Sequence, residues 1–195
     1  MYLHFLLAPV RHLTYILSSI GSIPVMNDTT ASPRRRIVEW VEPGAKAADG
    51  LAMGGLAYLQ AMASGELEPA AIGKLMGFYV KAVEKGRVVF AVEPAEYHCN
   101  PLGHVHGGLA ATLIDSASGC AIHTLLEPGV GFTTIDLMTN YVRPMRPGMG
   151  EVVCEGTVIH LGRQVARAEA KVLGPDGKLV AYGHSTCSIL RPEKK

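Results

Sequence analysis

Residues 104–126 read HVHGGLAATLIDSASGCAIHTLL, and the fold follows from how this stretch can be buried. Beyond His106 the chain runs for about twenty residues without Pro, Lys or Arg, which predicts a helix roughly 30 Å long at ~1.5 Å per residue. Its apolar side chains fall on nearly every side. Such a helix is either a membrane span or the centre of a core. One carboxylate, Asp115, lies midway along it among Leu113, Ile114, Ala117, Cys120 and Ala121. That argues against lipid, because burying a charge is costly unless the charge is paired or used. An ionisable group in such surroundings is a candidate for chemistry. At the helix entrance, Gly107 and Gly108 let another molecule approach the first-turn N–H groups, unpaired donors at the positive end of the helix dipole. The segment thus offers an anion hole and a base, against the plainer reading of a Gly-Gly turn and a solvated Asp.

Composition bounds the rest. A chain of 195 residues suits one well-buried domain with a tail. With 48% hydrophobic and 18% charged residues and a net charge of +1, nothing points to nucleic acid. The cysteines at 99, 120, 154 and 187 form no CxxC pair, so they read as reduced thiols of a cytoplasmic protein. His98, Cys99, His104 and His106 cluster in a Gly/Pro loop without a carboxylate at ligand spacing, and no metal is expected. Residues 1–36 read as an N-terminal extension. Their apolar start is interrupted by His4, Arg11 and His12 and has no run of 18 apolar residues, so a membrane span is not expected.

Residues 37–67 form a lead-in with a short helix at 56–63, and a domain over 68–191 follows. Residues 69–80, PAAIGKLMGFYV, have helical spacing, and 87–93, RVVFAVE, read as a strand. Four strands are expected after the helix, at 132–142, 151–161, 164–173 and 178–190. In the first, Ile135, Leu137 and Tyr141 share one face, with Thr134, Asp136, Met138 and Asn140 on the other. In the third, Ala166, Ala168, Ala170 and Val172 face inward. Gly174-Pro175-Asp176-Gly177 is a hairpin turn.

A helix apolar all round needs more wall than a flat sheet supplies, and a strongly curved antiparallel sheet wrapped around it provides that. This is the outline of the hotdog fold, an α+β architecture. Asn100-Pro101-Leu102-Gly103, His106-Gly107-Gly108, Asp115 and the strand TTIDLMTNYVRP at 133–144 together resemble the phenylacetate-pathway (PaaI-like) branch of the hotdog acyl-CoA thioesterases, over roughly residues 68–190. The resemblance implies hydrolysis of an acyl-CoA, with coenzyme A as part of the substrate and no separate cofactor. Gly107, with Gly108 beside it, would hold the developing oxyanion. Asp115 would act as general base or nucleophile. Asn100 and His106 would position the carbonyl or fix the loop, and Thr134 would orient water or the carboxylate. Each has a plainer reading: a turn residue before Pro, a helix-cap neighbour, an ordinary strand threonine. Arg143 and Arg146, flanked by prolines, and Arg163 in the next turn would pair with coenzyme A phosphates or be solvated. A hotdog dehydratase or hydratase and a non-catalytic acyl-CoA binding module are the rival classes; Asp115 together with Asn100 and the HGG favours the hydrolase.

Gly107 and Asp115 lie about 12 Å apart along one helix, too far for one carbonyl carbon to meet both. A dimer or dimer of dimers, with two antiparallel helices side by side, is therefore expected. The composition turns polar at Met26, which predicts that the native chain starts there and that residues 1–25 are disordered or loosely packed. A chain beginning at Met26 should keep the melting temperature and activity of the longer one; a large loss of stability would contradict this.

Overall fold

The computed structural model describes residues 32–192; the expectation for residues 1–25 lies outside them. The elements below lie in the unit that begins at Val38. A 3-10 turn, Pro43–Lys46, leads into helices α1 (Ala47–Met53), α2 (Gly55–Ser64) and α3 (Ala71–Met76). Strands β1 (Phe78–Glu84) and β2 (Arg87–Val92) follow, then the long helix α4 (Gly107–His123). Strands β3 (Gly131–Tyr141), β4 (Val152–Leu161), β5 (Val165–Leu173) and β6 (Leu179–Leu190) complete the chain. They form one antiparallel sheet in the order β1-β2-β4-β5-β6-β3. The α+β hotdog architecture expected from the sequence is present: α4 packs against all six strands.

Several expectations differ from the structure. The lead-in carries a second helix, α1, ahead of the one expected at 56–63. The helix predicted over 69–80 stops at Met76, because Gly77 adopts φ 72° and its N–H closes onto the Gly73 carbonyl. That left-handed cap releases Phe78, Tyr79 and Val80 into a strand, so two strands rather than one precede α4. In β3 a register shift between Thr134 and Asp136 breaks the alternation. Ile135, Leu137 and Tyr141, expected on one face, are all exposed, at 60%, 37% and 59%.

Elsewhere the period-two pattern holds. Ala166, Ala168, Ala170 and Val172 of β5 are buried. They lie in the same apolar interior as Leu109, Leu113, Ile114, Ala117 and Ile122 of α4. Buried residues cover most of α4, while Ala111, Thr112, Asp115, Ser116, Cys120 and His123 form a partly exposed stripe. The helix is therefore not enclosed on all sides within one chain.

The helix lies close on the sheet. A Cβ at Gly156 of β4 would stand 2.3 Å from the carbonyl oxygen of Ala117, a backbone atom that cannot turn aside. Gly156→Ala should therefore cost about 1–3 kcal/mol or more by overpacking. Gly44→Ala, with open space around it, should stay within about 0.5 kcal/mol. Equal melting temperatures for the two variants would contradict the close contact.

Candidate active site

The loop before α4 is built by its own side chains. Asn100 Oδ1 accepts the N–H groups of Leu102 (3.0 Å) and His104 (3.2 Å), while the Asn100 N–H reaches the His104 carbonyl. Asn100 thus fixes the loop through its oxygen and keeps its amide NH₂ as a donor. His98, 8% exposed, accepts the Ala95 N–H at Nδ1 and approaches the Met76 carbonyl through Nε2 at 2.7 Å. Both of its ring nitrogens are thus engaged in holding the loop. Among the described residues no group of His, Cys, Asp and Glu is arranged to hold a metal.

His106 caps α4: its Nδ1 accepts the Gly108 N–H at 2.9 Å. A Cβ at Gly108 would stand 2.8 Å from that nitrogen, so glycine is what lets the cap close. Gly108, expected to face substrate, therefore has its N–H occupied, and the first-turn donor without a partner among the described residues is Gly107. Tyr141 buttresses that position. Its hydroxyl donates to the Gly107 carbonyl at 3.1 Å, and its ring would meet a Gly107 Cβ at 3.0 Å. No feature of the sequence marked Tyr141 for this contact.

Asp115 lies two turns further along α4. Its Oδ1 accepts the Thr134 hydroxyl at 2.9 Å, which brings together two residues singled out from sequence. Both line a cavity of about 360 Å³ whose other walls include Leu59, Met62, Phe78, Phe90 and Phe132. Two thiols neighbour the carboxylate. Burial, and secondarily the Asp115 charge, push Cys120 up to about 12. Burial also raises Cys187, against the opposing hydrogen bonds of Ser185 and Thr134. Both thiols stay protonated near neutrality and are poor nucleophiles.

Gly107 lines a different depression, with Val105, Ala110, Tyr141 and Met145. Arg143 lines this one as well as the adjoining cavity, where Arg146 and Asp176 lie. The Arg143 Nε donates to the Leu179 carbonyl at 2.7 Å and Nη1 stands 3.5 Å from Asp176, while Nη2 is buried with no hydrogen-bond partner among the described residues. Arg163 is not brought to this group. It lies in the β4–β5 turn, at the far end of β5 from Asp176, roughly 30 Å away at ~3.4 Å per residue. One chain therefore separates its candidate residues into a carboxylate pocket and a Gly107–arginine side.

The geometry assigns separable effects to two substitutions. His106→Ala should destabilise the protein by about 1 kcal/mol through loss of the cap. Thr134→Val exchanges for a methyl the hydroxyl that donates to Asp115 and also approaches Cys187, so turnover should fall while the melting temperature moves little. Thermal melts and hydrolysis assays on both variants would check this; a Thr134→Val protein with unaltered turnover would count against the contact having a role.

A family model described as Thioesterase superfamily matches residues 102–181. Acyl-coenzyme A thioesterase 13 of Mus musculus is 33% identical over 101 residues, covering 51% of this chain and 71% of its own length. A Halobacterium salinarum protein, named only provisionally as an esterase, is 43% identical over 99 residues; the match spans 47% of this chain and 64% of that relative, just under two thirds of it. Among solved structures, a phenylacetic acid degradation-related protein of Ralstonia eutropha aligns with a TM-score of 0.61 at 26% identity, covering 67% of this chain and 98% of that one. With the six-stranded sheet around α4 and these relatives, the chain belongs to the hotdog acyl-CoA thioesterases of the thioesterase superfamily, a family of thioester hydrolases.

Proposed function

We propose that the protein hydrolyses an acyl-CoA to the free acid and coenzyme A at sites shared between two copies of the chain. The observation that carries this reading is the Asp115 carboxylate, held by Thr134 at 2.9 Å and opening into an apolar cavity. Thr134 occupies Oδ1 and leaves Oδ2 to take a proton from water. The water oxygen then attacks the thioester carbon, and the carbonyl oxygen gains charge beside the Gly107 N–H, assisted by the Asn100 amide. Collapse breaks the C–S bond; the thiolate leaves and is protonated by the carboxyl group of Asp115. An attack by Asp115 itself would pass through an anhydride, which a single turnover in ¹⁸O-water distinguishes by labelling the protein.

The donor and the base belong to different copies in this proposal. Three features support it: the axial separation of about 12 Å, the partly exposed stripe of α4 through Thr112, Asp115 and Ser116, and the exposed apolar edge strand β3 with Ile135 and Met138. A two-fold axis perpendicular to α4, crossing that stripe midway between Gly107 and Asp115, would set the two helices antiparallel and bring Gly107 of one chain to Asp115 of the next. The phosphates of coenzyme A would then lie along Arg143 and Arg146 on the Gly107 side; Arg163 could join them only from another chain. A cytoplasmic location is proposed on the four free cysteines. Among the described residues no helix is long and apolar enough to cross a membrane.

Asp115→Asn should lower turnover by about 10²-fold or more, with the thermal midpoint kept because the amide can still accept the Thr134 bond. Gly107→Val should also be inactive. Co-expressed, the two should give heterodimers that regain activity, since one of their two sites then has both Asp115 and Gly107 intact. Failure of that complementation would refute the shared site. Full activity of Asp115→Asn would refute the assigned base, and absence of hydrolysis across short, long and aromatic acyl-CoA substrates would favour the binding module.

A further inference from the structure

The cavity at Asp115 has a direction. Asp115, Gly119 and His123 recur every fourth residue along α4 and so share one face, and all three line the cavity. It therefore extends from the carboxylate toward the C-terminal end of the helix, about 12 Å away. At that far end the His123 imidazole stands between two rings, 5.9 Å from Tyr58 and 5.3 Å from Phe132 by centroid. Burial disfavours the imidazolium of His123, which keeps this end of the cavity uncharged.

Tyr58 comes from α2, outside the residues 102–181 matched by the thioesterase family model. Its position is tightly fixed. A Cβ at Gly55 would lie 1.8 Å from the His123 carbonyl oxygen, so the start of α2 lies directly against the end of α4. The Gly55 N–H reaches the Leu126 carbonyl at 3.4 Å, and the Gly129 N–H reaches that of Leu51 at 2.8 Å. Behind the ring, a Cβ at Gly50 would stand 2.6 Å from Tyr58 Cε2, so the backbone of α1 lies against it, beside a second, smaller cavity that Gly50, Tyr58 and Leu67 also line. The next residue, Leu59, is buried in the main core. Tyr58 is thus a fixed wall between α1 and the cavity.

We propose that Tyr58, presented by α2 against His123, is the specificity-determining residue that sets the depth of the acyl pocket. The lead-in helix, rather than the matched thioesterase core, then decides the longest acyl chain the site accepts. This rests on the hydrolase reading only in naming the occupant as the acyl chain of a coenzyme A thioester. A straight chain advancing from the carbonyl toward His123 buries one methylene after another among Leu59, Met62, Phe78 and Phe90, until it meets the phenol ring.

The test is binding of a graded series of straight-chain S-alkyl-CoA thioethers, which cannot be hydrolysed. Affinity should rise about fourfold per methylene, the equivalent of about 0.8 kcal/mol, and then level off at the length where Tyr58 is reached. Tyr58→Ala should move that plateau to chains several methylenes longer without changing affinity for the shortest. Tyr58→Leu, which keeps apolar packing, should move it in the same direction and serves if the alanine variant fails to fold. Gly119→Ala should move it the other way, because its Cβ would meet Phe132 Cε2 at 2.8 Å and push the ring into the cavity. Coincident plateaus for the wild type and the Tyr58 variants would overturn the inference, as would binding without length dependence or no binding at all. A Tyr58-dependent plateau in a protein that hydrolyses none of the matching acyl-CoA thioesters would refute the hydrolase reading and leave the pocket-depth inference standing.

Discussion

The contact on which the remainder depends is backbone against backbone: the carbonyl of Ala117 in α4 over Gly156 in β4, at a separation that leaves no room for a Cβ. A helix usually stands off a sheet by the length of its side chains. Here the glycine removes that spacer at one point, and small residues on the facing strand, Ala166, Ala168 and Ala170, suit the same close approach. With α4 held in the curve of the sheet, its rotation about its own axis is fixed, because Leu109, Leu113, Ile114, Ala117 and Ile122 must all point inward. The residues that cannot point inward then form the stripe bearing Asp115.

That rotation distributes the chemistry. Gly107 stands at the start of α4, where the helix dipole and the uncapped N–H favour negative charge. His106 takes up the neighbouring donor on Gly108, leaving Gly107 free. Asp115 opens two turns later into an apolar cavity where the thiols of Cys120 and Cys187 are held protonated by burial. A straight helix cannot bend these two ends toward each other. The same rigidity that positions each group thus separates them, and the proposed two-chain site rests on that separation. The exposed apolar residues of edge strand β3 would be covered by that arrangement.

The lead-in helices add a different kind of control. Gly77, in a left-handed conformation, ends α3 and starts β1 within one residue. Gly55 lets the start of α2 rest on the carbonyl of His123. These backbone contacts fix the floor of the cavity independently of the strands, so the depth of the pocket and the placement of its carboxylate can vary separately.

What the sequence determined by itself was the pattern: a long apolar helix with one carboxylate, alternating strands after it, glycines at its entrance, and a motif set that resembled one hotdog branch. Those features are local, set by periods of 3.6 and 2 residues and by the φ/ψ limits of glycine and proline, so they could be read along the chain. The pairing of Asp115 with Thr134 was legible only through the family resemblance. Tertiary structure alone decided that Gly108 is occupied by His106, that Tyr141 braces Gly107, that a bulge at Ile135 breaks the alternation of β3, and that Tyr58 closes the cavity against His123. Each of these depends on distances between segments far apart in sequence, or on one extra residue in a strand ladder. Periodicity carries no information about either, because it describes which way a side chain points and not what stands opposite it.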